Sequence, residues 1–368
     1  MSTREKKVDR FFLIVVSLLV IIGIAMFISA SFGILAKSQS TFYSVLFSQL
    51  VLGFGCGSIG VYFTLKLDYK FWRNYSFYIF LGSIFLTAAV FIPHLGYTHL
   101  GAERWIQLGS LRFQPVEILK FGFVIYFAAW LSWAKNRVQD FKFGILPLGL
   151  LLGIIALILF HQPDTKSFIL IAVTGMAMLF ISGVSIKYLS LIVLGSMVVL
   201  GSLVFFTPYL QSRVKTFIDP SQDPEGSSYQ IQQSLIAIGS GGVFGRGYGQ
   251  SIQKFSYLPE PQGDSIFAVV GEELGFVGGV AIIVLYLLFV LRGLRIANNS
   301  PDLFSRLLVS GIVILIVAQS FMNIASTIGV FPLTGVPLVL ISQGGTSLMI
   351  DFIAIGIIFQ ISKYQTQI

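Results

Sequence analysis

One carboxylate is singled out by where it falls in the chain. In Tyr257–Gly275, YLPEPQGDSIFAVVGEELG, a polar loop carries Pro259, Glu260, Pro261, Gln262 and Gly263, and Asp264 ends it. The chain turns apolar at Ile266 and stays so to Leu291, apart from Glu272 and Glu273. Asp264 is therefore expected where a water-side loop enters a membrane helix. A carboxylate at such a rim is only partly solvated, which raises its proton affinity and suits a base. The competing reading makes Asp264 the N-cap of the next helix, and by position alone the cap is favoured.

Other charges stand inside or at the rim of apolar runs, where they are costly and mark functional candidates. Glu117 and Lys120 are three apart at the start of an apolar run, a spacing that puts them on one helical face. For an isolated pair, a structural ion pair is the simpler reading. His161 and Asp164 flank Pro163 at the end of another run. Glu272 and Glu273 fall about two turns into the span after Asp264, so at least one must face protein or water. Gly271 and Gly275 beside them allow close helix approach, and the Glu pair reads as mainly structural. His94, His99 and His161 lack metal-site spacing, and no Ser-His-Asp pattern is evident. What remains is an acid–base or electrostatic site built from Asp264, the rim carboxylates and nearby cations.

The elements that must position these groups are membrane helices. The chain has 368 residues, 55% hydrophobic and 11% charged, with mean hydropathy +0.86. Soluble domains carry about 25% charged residues, so the composition excludes a sizeable water-soluble domain. Apolar runs begin at Phe11 and recur near residues 54, 85, 124, 152, 175, 198, 279, 316 and 354. Each is near the ~20 residues a bilayer requires. The expected fold is all-α: about ten transmembrane helices in one domain over 1–368, with a long outer loop over about 209–265 between helices 7 and 8. Ser29-Ala30-Ser31 imitates a cleavage site, but the preceding run is too long for a signal peptide. Cys56 is the single cysteine, which rules out an internal disulfide.

With the N-terminus inside, 15 of the 24 Lys and Arg residues fall on cytoplasmic segments and 9 outside. That bias supports both termini in the cytoplasm. The net charge of +8 then reflects topology, not a nucleic-acid partner. The outside cations are Lys37, Arg104, Arg112, Lys120, Lys166, Arg213, Lys215, Arg246 and Lys254. They suggest an anionic ligand on that face, against the alternative of local carboxylates or lipid headgroups. Within the long loop, Tyr229–Ile238 suits a short interfacial helix. GSGGVFGRGYG (239–249) follows no strand and opens no βαβ unit, which argues against a dinucleotide site. Its glycines are expected to let backbone run close to a membrane surface or a ligand.

GAERWIQLG (101–109), QPVEILK (114–120), QPDTKS (162–167), YQIQQSLIAIGSGG (229–242), YLPEPQGDSIFAVVGEELGFVG (257–278) and PLTGVPLVLISQGGTSL (332–348) together resemble the SEDS family of FtsW, RodA and SpoVE. The resemblance runs nearly end to end, with the motifs in the family's order. Lys254 in SIQKFSYLPE and the SAS at 29–31 look most like FtsW, the septal member; RodA, the elongation member, is the alternative. The resemblance implies a peptidoglycan glycosyltransferase that polymerises lipid II, with undecaprenyl diphosphate as leaving group. It implies a class B penicillin-binding protein and other divisome membrane proteins as partners, at the septum of the bacterial plasma membrane. The family's essential aspartate falls on Asp264. Its other motif positions fall on Arg104, Glu117, Lys120 and Asp164. With Gln233, Arg246, Lys254, Glu260 and Ser342 these make the candidate substrate-binding set. A metal requirement stays open, with Mg or Mn the candidates. Four places depart from the family pattern: Val116 for Ser, Lys166 for Gly, Gln262-Gly263 for His-Thr and Gln343 for Tyr. These leave the proposed base in place and bear on the hydrogen bonding around it. A lipid II flippase would spread polar residues through the bilayer depth, and a non-catalytic scaffold would need no rim aspartate. Clustering at the outer rim favours the polymerase.

Overall fold

The structure is a computed structural model, and it describes residues 7–365 apart from 94, 100–101, 109–110 and 220–226. Its longer helices in chain order are α1 (Arg10–Leu35), α2 (Gln39–Lys66) and α3 (Ser76–Ala88), then three short strands. After β1 (Gly96–His99), β2 (Ala102–Leu108) and β3 (Leu111–Phe113) come α4 (Pro115–Ala134), α5 (Ile145–His161) and α6 (Thr165–Ile181). The chain continues through α7 (Ile186–Phe206), α8 (Pro208–Ile218) and α9 (Ser227–Ser240). It closes with α10 (Ile266–Asn298), α11 (Leu303–Thr327) and α12 (Gly345–Ser362). Among the described residues six helices are long and apolar enough to cross a membrane, and four shorter ones are apolar. The apolar centres read from the sequence all fall within these helices.

α11 and α4 are buried along most of their length and form the middle of the bundle, while α1 and α2 turn large apolar residues outward. Apolar residues all round a helix are what lipid and a packed interior both accept. The end carrying residue 9 is well tied. Asp9 caps α1 by accepting from Phe12 N at 2.9 Å, and Arg292 of α10 holds the same carboxylate with two nitrogens at 2.9 and 2.7 Å. Ser362 accepts from Asp9 N at 3.2 Å. Residues 9, 292 and 362 therefore share one end of the bundle, the proximal end.

Two irregular stretches shape the other, distal end. Within α10, Gly275 has φ 68° and ψ −165°, which breaks the helix into 266–274 and 276–298. The glycine-rich loop clasps this break: Phe276 N donates to Gly242 O at 2.9 Å and Arg246 N to Glu272 O at 2.9 Å. A methyl group on Gly275 would meet Gly245 N at 2.3 Å, so only glycine fits in both conformation and space. The loop glycines thus approach another stretch of backbone, where the sequence suggested a membrane surface or a ligand.

The second stretch is 332–344, irregular, with a turn at 339–341, and none of it is fully exposed. Tyr286 donates to Val339 O. Tyr286 is twelve residues from the proximal end of α10, so Val339 reaches to about 18 Å from that end, deep in a hydrocarbon layer about 30 Å thick. Non-helical backbone survives at that depth only when protein satisfies its polar groups. Here Gln49 accepts from Gly344 N at 2.9 Å and donates to Ser342 O at 3.2 Å. Gln319 donates to Pro337 O at 3.3 Å, and Asn323 to Val336 O at 2.7 Å. Gln49 lies in a π-helical stretch of α2, Ser48–Cys56.

The small sheet was not foreseen in an all-α reading. It pairs Gly96 with Ile106 and Ile106 with Phe113, both antiparallel, in the segment between α3 and α4. His94 and Gly101 lie outside the described residues.

Candidate active site

Asp264 sits where the distal loop meets α10, partly buried. It does not cap the helix. The N-cap is Ser265, which makes no side-chain capping bond, and the Asp264 carboxylate instead accepts from Gln230 Nε2 at 3.3 Å. Gln230 reaches it from α9 and also donates to Ser265 Oγ at 3.0 Å. Asn323 of α11 fixes the backbone by donating to Asp264 O at 2.7 Å. Ser342 donates to Gly263 O at 2.7 Å and accepts from Leu338 N at 2.8 Å. Gln343 N donates to Gln262 O at 2.7 Å. Two of the departures from the family pattern therefore meet, and through backbone atoms. Burial, reinforced by the carboxylate of Glu260, pushes the Asp264 carboxyl up to about 6, against the opposing influence of Lys166 and the bond from Gln230.

One cation, Lys166, stands beside this carboxylate, and two arginines stand near Lys166. Lys166, in the first turn of α6, donates to Gly335 O, and its electrostatic neighbours are Asp164, Arg104, Asp264 and Arg213. Arg104, on β2, donates from Nε to Gln162 O at 3.0 Å and from Nη2 to Pro163 O. Arg213, on α8, donates to Leu333 O. Asp164 is fully buried and caps α6, accepting from Ser167 N at 3.4 Å and also from Ser167 Oγ at 2.8 Å. Arg104, Asp164, Glu260 and Asp264 thus lie around Lys166 and the start of α10, with Ser342 holding the loop.

The other candidates stand elsewhere. Glu117 and Lys120 pair at 2.8 Å inside the bundle, with Lys120 Nζ also donating to Gln319 at 2.6 Å and Ser347 donating to Glu117 at 3.1 Å. Both are over nine-tenths buried, and they reach Asp264 only through Gln319, the 336–337 backbone and Asn323. Lys254 is sealed in an ion pair with Glu273 at 2.7 Å, with Ser29 and Gly249 O as further partners. Arg246 lies 3.8 Å from Glu272. Glu272 also accepts from Ser251 Oγ at 2.6 Å and Ile252 N at 2.9 Å. The Glu272–Glu273 pair thus binds the glycine-rich loop to α10. The Gln233 side chain makes no hydrogen bond among the described residues; its neighbour one turn back, Gln230, is the one that touches Asp264.

Sequence reading missed Gln230, Asn323, Gly335 and Asp351. Gln230 was visible as a glutamine one turn from Gln233; Asn323 was visible as a polar residue in an apolar run. Asp351, on α12, is buried beside Glu117 and Lys120 and lines a small cavity under 337–348. A divalent cation would need several oxygen ligands. Among the described residues no three His, Cys, Asp or Glu side chains converge, and an ammonium already stands near Asp264. These side chains do not form a resident metal site.

A helical bundle with buried irregular backbone, and a carboxylate among cations at one rim, defines a multi-pass membrane protein with a polar site at the bundle's end. The chain belongs to the cell cycle protein family of FtsW, RodA and SpoVE, whose sequence profile matches residues 9–367. It is 37% identical over 370 residues to "Stage V sporulation protein E" of Bacillus subtilis, covering 99% of each chain. It is 36% identical over 360 residues to "Probable peptidoglycan glycosyltransferase FtsW" of Geobacter sp. strain M18, covering 97% of this chain and 98% of that one. A solved chain from a study titled "Structural coordination of polymerization and crosslinking by a peptidoglycan synthase complex" superposes with TM-score 0.81 at 25% identity, covering 98% and 99%. The RodA crystal structure from Thermus thermophilus superposes with TM-score 0.70 at 24% identity, which concerns the fold alone.

Proposed function

We propose that the chain polymerises lipid II at the outer face of the bacterial plasma membrane, with Asp264 as general base. Membership of the family and the activity its relatives are named for make it a peptidoglycan glycosyltransferase. Chain growth joins a sugar hydroxyl to the anomeric carbon of a lipid-linked sugar. The hydroxyl proton passes to Asp264, the new O–C1 bond forms, and the C1–O bond to the diphosphate breaks with its electron pair on the leaving group. Arg104 and Arg213, electrostatic neighbours of Lys166, would add positive potential that favours that negative charge. The observation that supports the reading is that Asp264 stands beside Lys166 and does not cap α10.

The test is Asp264→Asn in the purified protein with its cross-linking partner, supplied with labelled lipid II. A cap would tolerate Asn, which caps as well as Asp. A base would not, and the expected loss is about 10²–10⁴-fold in glycan synthesis. Parental activity should rise with pH through about 6 as Asp264 ionises, and be lost below it. Near-parental synthesis by a normally melting Asp264→Asn protein would return the residue to a structural role.

The named FtsW relatives support the septal role. The likeness to a chain from a peptidoglycan synthase complex supports assembly with a class B penicillin-binding protein. A sporulation role is the second reading, favoured by the Bacillus subtilis relative. Localisation of a fluorescent fusion in dividing and sporulating cells separates the two.

A further inference from the structure

Lys166 and Asp264 look onto the same point. Gly335 has φ 63°, and a methyl group on it would lie 3.2 Å from Asp264 Oδ2 and 3.7 Å from Lys166 Nζ. The two side chains nonetheless make no ion pair with each other. The ammonium is fixed by one bond, to Gly335 O, and an ammonium has three hydrogens to give. The carboxylate takes its bond from Gln230 on Oδ1, which leaves Oδ2 turned to Gly335. The site therefore offers a hydrogen-bond acceptor and a fixed positive donor side by side, in front of backbone that lacks a side chain. The remaining charges are committed differently. Arg104 and Arg213 hold backbone carbonyls, Asp164 holds Ser167, and Glu260 is exposed.

We propose that Lys166 is a catalytic residue that binds a diphosphate oxygen of the lipid-linked sugar beside Asp264, so that base and leaving-group cation act as one unit across Gly335. This rests on the reading of Asp264 as the base. A sugar hydroxyl is a donor and fits Asp264 Oδ2; a diphosphate oxygen is an acceptor and fits Lys166 Nζ. As the O–C1 bond forms, the hydroxyl proton moves to Asp264. As the C1–O bond to the diphosphate breaks, the electron pair stays on the diphosphate, where the ammonium meets the growing charge. The same ammonium favours the ionised form of Asp264. The positive-φ glycine has a function in this arrangement: any side chain there would fill the place where the two groups face each other.

The experiment uses Lys166→Met and Lys166→Arg in the complete complex, with Asp264→Asn beside them. Three quantities are read: the rate of lipid II polymerisation, its pH profile, and inhibition by farnesyl diphosphate as a soluble diphosphate probe. Lys166→Met should lower the rate by about 10²–10³-fold, the usual effect of losing one charge-stabilising donor. It should move the acid limb to higher pH, because the cation that favours ionised Asp264 is gone, and weaken inhibition about tenfold or more. Lys166→Arg should recover part of all three. A Lys166→Met complex at parental rate overturns the proposal. So does a slow one whose acid limb and inhibition are unmoved, because a purely structural lysine would give that pattern. If Asp264→Asn is inactive while Lys166→Met is parental, the lysine proposal alone falls; if Asp264→Asn is active, the base reading falls first.

Discussion

Lys120 donates to Glu117 and Gln319 in the interior of the bundle, and Asp351 stands near both as a second carboxylate with no hydrogen bond of its own among the described residues. One ammonium faces two carboxylates there. A buried charge without a full set of partners is costly, whereas removing one member of a made pair leaves its partner exposed to the same cost. The two substitutions should therefore act in opposite directions. Lys120→Ala should destabilise by about 3–5 kcal/mol, and Asp351→Asn, which keeps the shape and removes the charge, should raise the melting temperature in detergent. A fall in melting temperature with Asp351→Asn would show that its charge is compensated. At this scale the sequence was a mixed guide. Asp264, Arg104 and Glu260 were legible because a polar loop beside an apolar run is a local pattern. Gln230, Lys166 and Gly335 meet only through the packing of α9, α6 and the 332–344 stretch, and no spacing within any one segment announces that.

α10 was legible as a span but not as a broken one. Its long apolar run conceals Gly275, and the glycines at 241 and 245 gave no sign of what they approach. The structure shows that they approach the broken turn itself, with Gly271 O 2.0 Å from a methyl group placed on Gly241 and Glu273 O 2.1 Å from one on Gly245. The break lets 266–274 leave the axis of 276–298, and Asp264 is carried at the end of that displaced piece. Gly275→Ala should therefore act at a distance. The backbone angles at Gly275 are essentially reserved for glycine and cost a non-glycine residue about 1–3 kcal/mol, before the close contact with Gly245 N is counted. The expected outcome is a lower melting temperature and a loss of polymerisation larger than the loss of folded protein, because Asp264, the proposed base, is displaced. Parental activity with parental melting would mean that the turn relaxes without moving Asp264. The 332–344 stretch was hidden for a related reason: its composition is as apolar as a helix, and only Pro332, Gly335 and Pro337 hint that it is not one.

For the whole molecule, the ties among residues 9, 292 and 362 place the first and last described helices' ends together, and Lys363 Nζ donating to Leu65 O at 3.1 Å adds the end of α2. Lys66, Lys70, Arg73, Lys135, Arg137, Lys142 and Arg295 follow the same end by connectivity, whereas Asp264 and its cations occupy the other. A one-sided collection of basic residues in short connections orients a membrane protein with that side in the cytoplasm. The proximal end is therefore expected inside, and the site outside, where lipid-linked sugar has to be presented for export of the glycan. Single cysteines in a Cys56→Ala background test this on intact protoplasts. Gln232→Cys, on an exposed position of α9, should react with an impermeant maleimide without permeabilisation. Lys142→Cys, exposed between α4 and α5, should react only after the membrane is opened. The reverse pattern would invert the molecule, place Asp264 on the side of lipid-linked precursor assembly, and remove the polymerase reading along with the proposed role of Lys166.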